Sequence, residues 1–258
     1  MDIDISKFKD IKQQANVCVL FSYWRFIQYF NPSVKFHPFC ISYIQYMQDK
    51  YNIISHEKLD SYICQELDVQ RRNPDHKNEN LNEKCSLLLN SDSDIANELE
   101  HLNDISIEVL TYAVLHYYCQ KDAGDIRGLD HLTTLHKTFI TQDSQYVIPN
   151  TQINFTQDSG EIVQAIDNIQ KGNIDFLILL YQTQRQHQGQ IQYLGHTIML
   201  VNTKNGIYIG DPNLKRFKKI AEYEKLDSYS NKFDINRKET ITECITIKCN
   251  AEFHSGSI

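Results

Sequence analysis

The chain has no C-x-x-C pair, no apolar run of membrane-spanning length, no excess of basic residues and no internal repeat. Each absence removes a class of protein. The cysteines number seven, an odd count, at positions 18, 40, 64, 85, 119, 244 and 249. Without paired spacing they read as reduced thiols rather than a disulfide framework. Without a long apolar run, no membrane span is expected. A formal net charge of -7 argues against nucleic acid as a partner and weakly favours basic surfaces. The opening Met1-Asp2-Ile3-Asp4-Ile5-Ser6-Lys7 has neither the positive nor the apolar region of a Sec-type signal peptide, so none is expected.

What is present describes an ordinary globular protein. The chain is 41% hydrophobic and 23% charged over 258 residues, which is long enough to bury a real core. The expected fold is α+β, a single domain over 1–258, helical over 1–145 and built around a mostly antiparallel sheet over 146–258. Val17, Leu20, Phe21, Trp24 and Ile27 recur at helical spacing, predicting a helix over 14–30 that stops at Asn31-Pro32. Further helices are predicted over 40–51, 56–69, 93–102, 104–121, 128–140 and 159–170. Strands are predicted at Tyr146–Ile148, Phe176–Gln182, Tyr193–Val201, Gly206–Gly210 and Ile241–Lys248. The run Ile174–Leu180 suits a central strand. The polar stretch Arg71–Asn80 reads as an exposed loop, the acidic run Asp92–Asp104 as a solvated helix face, and Gln182–Gln192 as a hairpin loop.

Three residues read as chemistry: Cys18 early in the first helix, His196 inside a strand, and Asp211 leading Asp211-Pro212-Asn213. Val17, Leu20, Phe21, Trp24 and Ile27 fill one arc of that helix, at about 100° per residue. Cys18 falls on the other side, with Ser22, Arg25 and Tyr29. A structural cysteine belongs in the apolar stripe. The first turn, with its unpaired N–H groups and helix dipole, favours a thiolate. His196 lies in a segment apolar on both faces and is expected to be buried. If Asn202–Asn205 connect the two strands, His196 and Asp211 sit directly opposite. A two-residue turn at Asn205-Gly206 would instead set Asp211 against Leu200 and part the pair, so the longer turn is expected. A thiol, a base and a carboxylate to orient the base are the parts that thiol catalysis needs. The oxyanion would be held by the Cys18 backbone N–H and a side-chain donor just upstream, for which Gln13 and Gln14 are the candidates.

Asn16-Val17-Cys18 with Trp24 on a helix, Gly195-His196 with Leu200, and Asp211-Pro212-Asn213 with Phe217 together resemble the YopT/AvrPphB type of papain-like cysteine peptidase. The resemblance covers three short motifs and not residues 33–145. It implies a papain-like fold, with Cys18 as nucleophile, His196 as general base and acid, Asp211 as the orienting carboxylate and Phe217 as packing. Such proteins are bacterial effectors secreted by a specialised system and active in the host cytoplasm; the bacterial cytoplasm is the alternative site of action. The partner implied is a protein substrate, a host protein, with no metal and no organic cofactor. The sequence leaves the oligomeric state open. It departs from the pattern at Asn16, where a small residue is common, and at Lys12, where papain has its oxyanion glutamine.

The same chemistry serves proteolysis, glutamine deamidation or transamidation, and isopeptide cleavage as by a deubiquitinase, since pocket shape decides among them. A zinc-binding protein is a reading of another class, resting on two H-x-x-C pairs, His37 with Cys40 and His116 with Cys119. A non-catalytic interaction module is a third. Its surface would include Tyr43, Tyr46, Tyr112 and Tyr117, although tyrosines at helical spacing more often pack a core.

Overall fold

The computed structural model describes residues 2–14, 17–51, 107–108, 110–112, 129–136, 151–187, 190–220 and 239–249. It is α+β. The helices are α1 (Cys18–Phe30), α2 (Phe36–Tyr51), α3 (Asp130–Leu135) and α4 (Ser159–Gln170). The strands are β1 (Thr151–Thr156), β2 (Phe176–His187), β3 (Gln190–Thr203), β4 (Gly206–Gly210), β5 (Lys218–Lys219) and β6 (Glu239–Cys249). They form one six-stranded sheet in the order β1-β6-β2-β3-β4-β5, and every pairing is antiparallel.

The chain divides into two compact units that do not follow the order of helices before strands. The first contains residues 1–12, 18–33 and 128–258. Its organising element is β2, whose residues Phe176–Leu180 are buried on both faces between β6 and β3. Alternate side chains leave a strand on opposite faces. Leu177 and Leu179 pack with Ile198, Leu200 and Ile209 beneath Ile162, Ala165 and Ile169 of α4. Phe176 faces the other way, with its ring 5.2 Å from that of Phe26 and 5.9 Å from that of Tyr29, both on α1. The Asp158 side chain caps α4 by accepting from the Glu161 N–H at 2.9 Å. Gly172, at φ 78°, follows its C-terminus.

α1 is not the amphipathic surface helix that its apolar stripe suggests. Every residue from Val19 to Tyr29 is buried, including Ser22 and Arg25. Its polar side faces the backbone of the N-terminal segment rather than water. Gln28 donates to the Lys7 carbonyl and accepts from the Lys9 N–H, while the Tyr29 hydroxyl accepts from the Asp4 N–H. Hydrogen bonds offset the cost of burying Gln28 and Tyr29 there, whereas the Ser22 hydroxyl is buried without a partner.

The strand pattern differs from the sequence reading in three places, one of them the unforeseen short strand β5. Gln182–Gln192 is mostly ladder, since β2 and β3 stay paired from Phe176↔Val201 out to His187↔Gln190. Glutamine carries no apolar alternation, so the pattern has nothing to display there. β1 begins at Thr151; the strand expected at Tyr146–Ile148 lies outside the described residues, as do Arg71–Asn80, the acidic run and the helices over 56–69 and 93–102.

The second unit contains residues 13–17 and 34–127. Within it Phe36, Phe39, Cys40, Tyr43 and Ile44 form the buried stripe of α2, and Ile107, Leu110 and Thr111 are buried in a helical stretch. Tyr43 is core rather than surface. Among the described residues, no helix is long and apolar enough to cross a membrane.

Candidate active site

Cys18 is the first residue of α1, where the leading N–H groups have no carbonyl partner within the helix. The residue as a whole is half-buried. Burial acts to raise its pKa, but a hydrogen bond and charge from His196 outweigh it. The backbone N–H of Thr197 pulls in the same direction, and the thiol ends below its ordinary value. The Thr197 contact has a topological cause. The β3–β4 ladder ends at the Met199–Gly210 pair, short of Thr197, whose N–H acts on the sulfur instead.

His196 is a third exposed, less enclosed than its apolar flanks predict, because the edge of β3 beside it has no β4 partner. Its Nε2 lies 3.0 Å from Asp211 Oδ1. That leaves Nδ1 for the sulfur. Desolvation lowers the imidazole's pKa, but the hydrogen bonds and charges of Asp211 and Cys18 overcome it and raise it to about 10. The imidazolium is therefore the resting form at neutral pH.

Asp211 is nearly buried. Burial raises its carboxyl; the His196 bond and charge, the Asn213 N–H at 2.8 Å and the Arg25 charge lower it further than burial raises it. The hairpin that brings it there is neither of the two expected. Thr203 pairs with Gly206, so Lys204 and Asn205 make a two-residue turn, and Gly206 adopts φ 111°. Continuing that register sets Asp211 across from Ile198, diagonal to His196 on the same face. A diagonal pair is within reach of an imidazole and a carboxylate. The longer turn is not required for the two to meet.

Gln13 is buried and Gln14 exposed. The Gln14 backbone N–H donates to the Glu108 carboxylate. Both glutamines belong to the second unit. In that unit His37 Nε2 lies 3.1 Å from Glu108 Oε1. Burial, with the Glu108 charge, pushes the Cys40 thiol well above its ordinary value. Cys40 is thus a protonated core thiol. His116 and Cys119 lie outside the described residues. Among the described residues, no group of three or more His, Cys, Asp or Glu is arranged to hold a metal.

Sequence reasoning singled out Cys18, His196 and Asp211 but not Thr197, whose contribution comes from a backbone N–H that every residue type shares. Its position next to His196 was the one available signal. Comparison of the chain with known protein families, with curated proteins and with solved structures finds no match.

Proposed function

We propose that this protein is a thiol hydrolase that cleaves amide bonds of a protein substrate through Cys18, His196 and Asp211. The observation that carries the reading is the His196–Asp211 pair, Nε2 3.0 Å from a near-buried carboxylate, together with a cysteine at a helix N-terminus whose thiol His196 holds below its ordinary value. The thiol is lowered and the imidazole raised, the combination that defines a thiolate–imidazolium pair.

The chemistry follows from the protonation states. The Cys18 thiolate attacks the amide carbon, and the carbonyl oxygen takes up the negative charge. The Cys18 backbone N–H, unpaired within the helix, stabilises that oxyanion. His196 gives its proton to the departing nitrogen as the C–N bond breaks, leaving a thioester. Water, deprotonated by His196, then releases the acid and restores the thiol pair. Asp211 holds one imidazole nitrogen throughout and keeps the other directed at the sulfur.

The papain-like architecture, the YopT/AvrPphB relationship and delivery into a host cell as a virulence effector belong to this proposal and rest on the three motifs. The test is alkylation by iodoacetamide at graded pH with peptide mapping. Cys18 should label selectively well below pH 8, and His196→Ala should abolish that selectivity. Labelling of Cys18 no faster than Cys85, and indifferent to the histidine, would reject the enzyme. Incubation with candidate proteins then separates chain cleavage from deamidation, which leaves the chain intact.

A further inference from the structure

Arg25 has a buried guanidinium in the described core, only 1% exposed, and the proposed chemistry gives it no part. It lies seven residues beyond Cys18 on α1, which at about 100° per residue puts both on one side of the helix, roughly 10 Å apart along the axis. Burying a cation is costly unless its donors are satisfied. Here those of Nη1 and Nη2 go to main-chain carbonyls, while the buried Nε is left without a partner. Nη1 donates to the Asp211 carbonyl at 3.2 Å, and Nη2 donates to Leu214 at 2.8 Å and Ile11 at 2.9 Å.

Two of those acceptors are the ends of one turn. The Leu214 N–H donates to the Asp211 carbonyl at 2.9 Å, closing a four-residue turn with Pro212 second. Inside it the Asn213 N–H donates to Asp211 Oδ1, the oxygen that also meets His196. The guanidinium grips the first and last carbonyls of the turn that aims this carboxylate. Its carbon also lies 4.9 Å from the Phe21 ring and 4.9 Å from the Phe217 ring. Phe217 stacks on Phe8 at 4.3 Å. Gly210 completes the enclosure. A Cβ there would stand 2.4 and 2.6 Å from Phe217 ring carbons and 3.1 Å from Arg25 Nη1.

We infer that Arg25 is the positioning residue of the site: by clasping both ends of the Asp211–Leu214 turn from the helix that carries Cys18, it fixes the carboxylate on His196. This role rests on the proposed function for its catalytic meaning, though the geometry it asserts does not. The Arg25 charge also favours ionised Asp211, in line with that carboxyl's low value. Lysine would keep the charge, but it has a single nitrogen and cannot span two carbonyls in a fixed plane.

The test reads His196 directly. The His196 imidazole is titrated by NMR in wild type, Arg25→Lys, Gly210→Ala, Asp211→Asn and the Arg25→Lys/Asp211→Asn double variant, with thermal unfolding confirming the fold. Arg25→Lys should lower the His196 pKa by at least one unit, to between the wild-type and Asp211→Asn values. The double variant should match Asp211→Asn alone, because the arginine acts through the carboxylate. Gly210→Ala, which disturbs the clasp from the turn's side, should shift the value the same way and supplies the reading should the lysine variant not fold. A wild-type titration in folded Arg25→Lys or Gly210→Ala would overturn the role, as would full additivity in the double variant. Failure of the hydrolase reading looks different: His196 responds to Arg25 as stated, while Cys18 alkylation is slow and insensitive to His196→Ala.

Discussion

The chemistry of Cys18 depends on partners that lie at very different sequence distances. His196 and Asp211 are legible because an imidazole within an apolar strand and an Asp-Pro-Asn closing the next one stand out from their surroundings. Thr197 and Arg25 are not. A backbone N–H has no residue signature, and an arginine on the polar arc of a helix looks the same whether it faces water or buried carbonyls. This difference yields a prediction about Asp211. Replacing it with Asn removes the largest favourable contribution to the raised imidazole while keeping the side chain's shape. The imidazole then loses its proton at lower pH and supports the thiolate less. Cys18 alkylation at pH 6 should fall by about tenfold or more, since each pKa unit lost by the pair is a factor of ten in thiolate. The rate at pH 9.5 should change little. Equal losses at both pH values would mean that Asp211 serves the local fold and not the proton.

At the scale of elements, legibility follows periodicity. The apolar run of β2 and the alternating strand β6 announce themselves because burial leaves a repeating pattern. The glutamine-rich outer ladder of β2 and β3 leaves none, and the register of the β3–β4 hairpin depends on which two residues form the turn. Asn205-Gly206 looks like the turn dipeptide, yet the chain places Gly206 just after it, with φ 111°. That backbone conformation is strained for any side chain, and a Cβ would also stand 3.1 Å from Lys219 Cε. Gly206→Ala should therefore destabilise the protein by about 1–2 kcal/mol, read as a lower urea midpoint with the slope unchanged. Asp158→Ala tests the other end of the same logic. Losing the side-chain cap of α4 should cost about 1 kcal/mol, with Cys18 alkylation at wild-type rate. A loss of Cys18 reactivity in Asp158→Ala would mean that α4 supports the site through the sheet and not merely the stability of its own face.

For the molecule as a whole, the shifted histidines push stability in opposite directions with pH. His136 is buried, with Nδ1 2.8 Å from the Tyr23 hydroxyl and Nε2 3.0 Å from Thr151 Oγ1. Burial lowers it from 6.5 to about 4, so it stays neutral in the folded protein. Between those values the unfolded chain binds a proton that the folded one refuses. Stability is intact above pH 6.5 and declines as the pH falls towards 4, by about 3 kcal/mol at the acid end. His196 works the other way. Its folded value of about 10 lies above 6.5, so its contribution is complete below 6.5 and disappears as the pH rises through about 10. The depressed Asp211 carboxyl adds stability that is lost only below its ordinary 3.8. The window from 6.5 to 4 therefore belongs to His136 among these groups, and unfolding measured across it isolates that residue. His136→Gln cannot take up a proton in either state. The variant should be less stable at pH 7, having lost its fitted contacts, but its stability should be nearly flat from 6.5 to 4 where wild type slopes. Parallel slopes in the two proteins would assign the acid limb to other groups and leave His136 as a packing residue alone.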